Sequence, residues 1–118
     1  MSRAALLSRF VPDPVAYRRI DRKEARLLLK VEFDEWVTSL GGPASVDYVN
    51  ATPPATLVWA VAVAGDMEPN VSRGQRALWE VSSWNAETGS FVRHYWSSRN
   101  GMWPARWDNL PDRDPSRR

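Results

Sequence analysis

Residues 77–96 read ALWEVSSWNAETGSFVRHYW, two apolar, aromatic-rich runs around Asn85-Ala86-Glu87-Thr88-Gly89. Gly89 can take the positive φ that closes a four-residue loop built on a type I turn, and β-branched and aromatic residues flank it. The stretch therefore predicts a β-hairpin with arms at Ala77–Trp84 and Ser90–Trp96. If Asn85 pairs with Ser90, Trp79, Val81 and Ser83 share a face with Val92, His94 and Trp96. Leu78, Glu80, Ser82 and Trp84 share the other with Phe91, Arg93 and Tyr95. Glu80 then lies opposite Tyr95 and diagonal to Arg93. The first face is assigned to the core. Trp84, Phe91, Arg93 and Tyr95 are assigned to a partly exposed one.

On the N-terminal side of the hairpin, Leu57 to Ala64 (LVWAVAVA) is the strongest strand signal of the chain. Trp59, Val61 and Val63 point one way; Val58, Ala60, Ala62 and Ala64 point the other. Two apolar faces mark a central strand covered on both sides, and the small second face suits close approach by a helix. Gly65–Gln75 and residues 43–56, the latter holding three Pro, read as loops. Residues 25–36 allow two readings. A helix would carry the stripe Ala25, Leu29, Phe33, Trp36 and Leu40, with Asp21 and Glu24 as a capping box. A strand would alternate Leu27, Leu29, Val31 and Phe33 with Leu28, Lys30, Glu32 and Asp34. The strand is preferred for Arg26–Phe33, with Asp34–Leu40 as a turn or short helical segment. Asp13-Pro14 reads as N-cap and first helical position of a helix running to Glu24, to be packed on the small face of the strand. Ser2–Phe10 is a candidate short helix. Pro104–Leu110 is a candidate helical turn that docks Trp103 and Trp107.

The fold class expected is thus α+β, a three- to four-stranded antiparallel sheet with one N-terminal helix packed on one face. Residues 1–12 form an arm or short helix, 13–110 a single α+β domain, and 111–118 a disordered basic tail. With 118 residues the chain has room for one domain and enough length to bury a core. It has no Cys, which excludes disulfides, zinc–thiolate sites and thiol nucleophiles. The N-terminal residues show no sustained apolar run of the signal-peptide kind, and no stretch is long enough to span a membrane as a helix. A cytoplasmic location is expected, although a mature secreted domain would read the same.

The net charge of +2 hides segregation: residues 1–30 carry +5, residues 31–90 carry −6 and residues 91–118 carry +3. Basic flanks packing near an acidic middle explain this. The alternative is a basic face for nucleic acid built on Arg18, Arg19, Arg22, Lys23 and Arg26. Arg outnumbers Lys fourteen to two, a bias that a GC-rich genome produces as readily as phosphate recognition does.

The strand Thr56–Gly65 followed by the hairpin Trp79–Val92 resembles the PepSY-type domain. In that family a helix, a strand and a hairpin follow one another, and the turn reads like Val-Asp-Ala-x-Thr-Gly-x-Val. Here Asn85-Ala86-Glu87-Thr88-Gly89-Ser90-Phe91 stands in that place, with Asn where the family usually has Asp. The resemblance implies a small α+β domain. Members are often secreted or membrane-attached, and are thought to regulate or inhibit peptidases or to act as binding modules. It carries over no catalytic residue.

No catalytic constellation stands out. His94 is the only histidine, and in mid-strand beside aromatics it reads as structural. An acid–base role would need a carboxylate such as Glu80 beside it in a pocket. Glu32, Asp34 and Glu35 read as a solvated cluster. No metal site, cofactor or phosphate-cradling loop is expected. The sequence therefore points to a non-enzymatic binding or regulatory domain. It would contact a protein or small ligand, or a second copy of itself, through Trp84, Phe91, Arg93 and Tyr95.

Overall fold

The computed structural model describes residues 2–8, 17–43, 52–70, 75–97 and 103–115. Four strands form one antiparallel sheet in the order β1-β2-β3-β4. They are β1 (Tyr17–Leu29), β2 (Leu57–Asn70), β3 (Gln75–Asn85) and β4 (Phe91–Ser97), joined by two helices, α1 (Arg3–Leu7) and α2 (Lys30–Ser39), and a 3₁₀ turn at Trp107–Asn109. The α+β class and the four-stranded antiparallel sheet agree with the sequence reading.

β2 is the interior strand that its two apolar faces predict. Trp59, Val61 and Val63 pack with Ala25, Met67 and Leu6 of α1. Val58, Ala60, Ala62 and Ala64 pack with Phe33, Trp36 and Val37 of α2, with Trp79 and Val81, and with Trp107. The three alanines leave the room that these large side chains fill. Each fully buried Val of β2 contributes about 1.5–3 kcal/mol relative to exposure.

The helix expected over Asp13–Glu24 does not form where the structure is described: from Tyr17 onward the chain is strand. Residues 13–16 lie outside the described residues. Local propensity yields here to pairing with the 14-residue β2, which offers backbone partners from Leu57 to Met67. Side chains then alternate across β1, with Ala25 and Leu27 toward α1 and Leu28 toward α2. Two register shifts, between Tyr17 and Arg19 and between Ile20 and Arg22, absorb the irregular start. They need Gly65, whose φ is +155° and where a Cβ would come within 2.1 Å of the Arg19 carbonyl oxygen.

The strand expected over Arg26–Phe33 ends at Leu29, and Lys30–Ser39 is helix. Phe33, Trp36 and Val37 are buried and Leu40 half-buried, so the helical stripe prevails over the two-residue alternation. The start of α2 is well satisfied. Lys30 N–H donates to the Thr56 carbonyl (2.8 Å) and Val31 N–H to that of Pro54 (3.1 Å), while Glu32 Oε1 accepts from Leu29 N–H (2.8 Å).

Residues 111–115 are not a disordered tail. Arg113 N–H donates to the Leu27 carbonyl (2.7 Å), and Asp112 Oδ1 accepts from Leu27 N–H (3.1 Å). Asp112 and Asp114 both hold Arg3 of α1. This segment straps the outer edge of β1; residues 116–118 lie outside the described residues. Upstream of it, Trp103 and Trp107 dock on the α2 side as expected. Trp107 Nε1–H donates to Glu24 (3.0 Å), and Trp36 Nε1–H donates to the Ala105 carbonyl (2.8 Å).

Candidate binding face of the hairpin

The turn forms as its sequence demands. Asn85 N–H donates to the Ser90 carbonyl and Gly89 N–H to the Asn85 carbonyl, both at 2.8 Å, and Gly89 has φ +77°. The Asn85 side-chain oxygen accepts from the N–H groups of Glu87 (2.9 Å) and Thr88 (3.0 Å).

Beyond the turn the register departs from expectation. Trp84 pairs with Phe91, but Ser83 pairs with Arg93 because Val92 is an extra residue in β4. This bulge moves every later side chain of β4 to the other face. Tyr95 lies opposite Val81, and Glu80 lies opposite Trp96.

The expected platform of Trp84, Phe91, Arg93 and Tyr95 is therefore split. Trp84 and Phe91 stay together on the α1 side, with ring centroids 5.4 Å apart and an edge-on contact. Arg93 and Tyr95 face α2. Arg93 is buried, donating to Asp34 at 3.0 Å and to the Pro43 carbonyl. Tyr95 packs on the core beside Trp79. A buried, bonded Arg93 offers no cation to a ligand.

The same slip brings together residues that the sequence pattern kept apart. His94 lies opposite Ser82 on the α1 side, and its Nε2 is 2.8 Å from Glu80 Oε2. Glu80 is buried, and its Oε1 accepts from the Tyr17 hydroxyl of β1. Ser82 Oγ accepts from Trp84 Nε1–H (2.9 Å). The His94 side chain remains 29% exposed, so it is not sealed in the core. No sequence signal marks this cluster, because it depends on where the bulge falls.

At the turn end of the same side, Leu57 (43%) and Phe91 (41%) are exposed, while Trp84 and Ala86 are half-buried against the α1-side core. Ala86 N–H donates to the Leu57 carbonyl (3.0 Å). An open cleft of about 500 Å³ lies here, lined by Ala55, Thr56, Leu57, Asn85, Ala86 and Glu87.

No family model, curated protein or solved structure matches the chain.

The basic segment is occupied internally. Arg18 pairs with Glu68, Arg19 with Asp21, and Arg22 with Glu24. The Arg22 guanidinium also stacks 3.8 Å above Trp103. Lys23 donates to the Leu7 carbonyl and Arg26 to that of Leu110. Exposed pairs of this kind add little to stability, so they neutralise the surface more than they stabilise it. Their acidic partners would repel phosphate. Among the described residues no group of three His, Asp or Glu side chains is placed to hold a metal ion, and no helix is long and apolar enough to cross a membrane.

Proposed function

We propose that this chain is a non-enzymatic binding domain that contacts a protein partner through the turn end of the β3–β4 hairpin. One observation carries the reading. Leu57 and Phe91, two of three large exposed apolar side chains among the described residues, flank half-buried Trp84 and Ala86 beside an open cleft. Aromatic and aliphatic anchors around a recess are the form that energetic centres of protein interfaces take. The PepSY-type resemblance of the strand Thr56–Gly65 and the hairpin Trp79–Val92 belongs to the same proposal.

The test compares wild type with the double variant Leu57→Ser/Phe91→Ser in quantitative affinity capture. Both side chains lie outside the core clusters, so the melting temperature should hold within a few degrees. Proteins retained by the wild type should be reduced at least tenfold. An unchanged retained set at unchanged stability would remove the turn end as the contact surface.

A nucleic-acid reading is second and rests on the Arg-rich β1. It requires binding to DNA or RNA that weakens steeply with salt.

A further inference from the structure

Among the described residues, each acidic side chain except Glu35 and Glu87 meets a guanidinium, an ammonium or, for Glu80, the His94 imidazole of its own chain. Glu35 stands exposed on α2. Glu87 is exposed on the hairpin turn and is the acidic group that lines the open cleft of about 500 Å³. The backbone around it is fixed. Asn85 Oδ1 accepts from the N–H groups of Glu87 and Thr88. Ala86 N–H donates to the Leu57 carbonyl (3.0 Å), which joins the two walls of the cleft. On the other wall Thr56 N–H donates to the Pro53 carbonyl (3.0 Å), and the Thr56 carbonyl accepts from Lys30 N–H at the start of α2 (2.8 Å). The cleft thus combines the aliphatic side chains of Ala55, Leu57 and Ala86 with one carboxylate on a preorganised frame.

We infer that this cleft receives a lysine or arginine side chain of the protein partner, its methylene stem along Ala55, Leu57 and Ala86 and its cationic head on the Glu87 carboxylate. This rests on the turn end being the contact surface and names the chemistry of what it contacts. Lys and Arg are the side chains that join an apolar stem to a positive charge. A wholly apolar side chain would take water from Glu87 and return no hydrogen bond, which is unfavourable. An acidic side chain or a phosphate would be repelled. An exposed ion pair adds little alone. Partner surface closing over Leu57 and Phe91 would exclude water from this one, and a charge-assisted hydrogen bond is stronger where water is excluded. Such a pair acts chiefly on specificity, by selecting among partners that share the apolar contact.

The experiment is an amide NMR titration of the full chain with the capped tripeptide leucyl-arginyl-leucine amide. The comparison is the same peptide with citrulline for arginine, which keeps the stem and the planar head but removes the charge. The expected result is saturable shifts at residues 55–57 and 85–87, with roughly fivefold tighter binding of the arginine peptide. Glu87→Gln should abolish that preference at an unchanged melting temperature. If the variant fails to fold, wild type decides alone: the preference should shrink as salt is raised. Equal binding of the two peptides, a preference that survives Glu87→Gln or ignores salt, shifts confined to another surface, or no saturable binding overturns the inference. If the arginine peptide fails while Leu57→Ser/Phe91→Ser still strips the captured proteins, the inference falls and the proposed function stands. If the peptide binds as expected while the double variant keeps every captured protein, the proposed function falls and the cleft keeps its charge preference.

Discussion

Glu80 ties three strands together. Its carboxylate sits on β3, takes the Tyr17 hydroxyl from β1 across the face of β2, and holds His94 on β4. Buried polar groups tolerate burial only when bonded, and Glu80 is the buried member of the cluster. Glu80→Ala should therefore cost about 1–3 kcal/mol in denaturant unfolding, since two hydrogen bonds to half-buried partners are lost. Glu80→Gln keeps an acceptor and should lose less. Equal losses for the two variants would mean that packing, and not bonding, sets the cost. Ser82 is less exposed to such loss, because its hydroxyl meets an indole N–H of its own strand.

At the scale of elements, α2 is anchored at its start by Glu32. Burial raises the pKa of this carboxyl. The hydrogen bond from Arg113, that from Leu29 N–H and the Arg113 charge outweigh burial and hold it below the ordinary range. Glu24 is lowered in the same way: burial raises it, and Arg22, the Trp107 indole and Arg26 bring it down. A carboxylate with a depressed folded-state pKa stabilises fully above its unfolded value and loses that contribution as pH falls through the folded one. Stability should thus decline as pH drops below about 4.3, the unfolded glutamate value. In Glu32→Gln the decline should be shallower, read as melting temperature against pH. Parallel wild-type and variant curves down to the acid limit would refute this.

Much at this scale was legible in the sequence. The alternation at 57–64 gave both faces of β2, and Asn85 with Gly89 gave the hairpin turn. β1 is hidden because an edge strand need not be apolar: Ala16, Ile20 and Tyr17 fit one side of a helix, with Arg18, Arg19, Arg22 and Lys23 covering much of the rest. The Val92 bulge was hidden for another reason. One inserted residue costs little locally, leaves no composition signal, and reverses the faces of Arg93, His94 and Tyr95. The predicted group is therefore divided by the bulge: Trp84 and Phe91 meet, Arg93 and Tyr95 pack on the α2 side, and His94 lies beside Glu80 on the other.

Over the whole molecule, the N-terminal helix and the 111–115 strap hold each other. Arg3 donates to Asp112 (2.8 Å) and Asp114 (2.9 Å), with all three side chains largely buried. Asp112 also accepts from the Leu27 and Asp114 N–H groups. Asp112→Ala should cost about 2–3 kcal/mol, since a charged acceptor with several donors is lost. It should also open residues 111–115 to limited proteolysis while the hairpin stays protected. Cleavage no faster than in wild type would show that the strap is held by its backbone bond to Leu27 alone.

The strap also sets an order of events in the life of each chain. The Leu27 edge is bonded only once residues 111–115 have folded back along it, and in sequence they come after all four strands. A chain whose sheet has formed before the strap has docked therefore shows a bare strand edge to its neighbours. Recovery on refolding should fall as protein concentration rises, and adding the strap's docking rate to the race against aggregation makes this short segment a guard of yield.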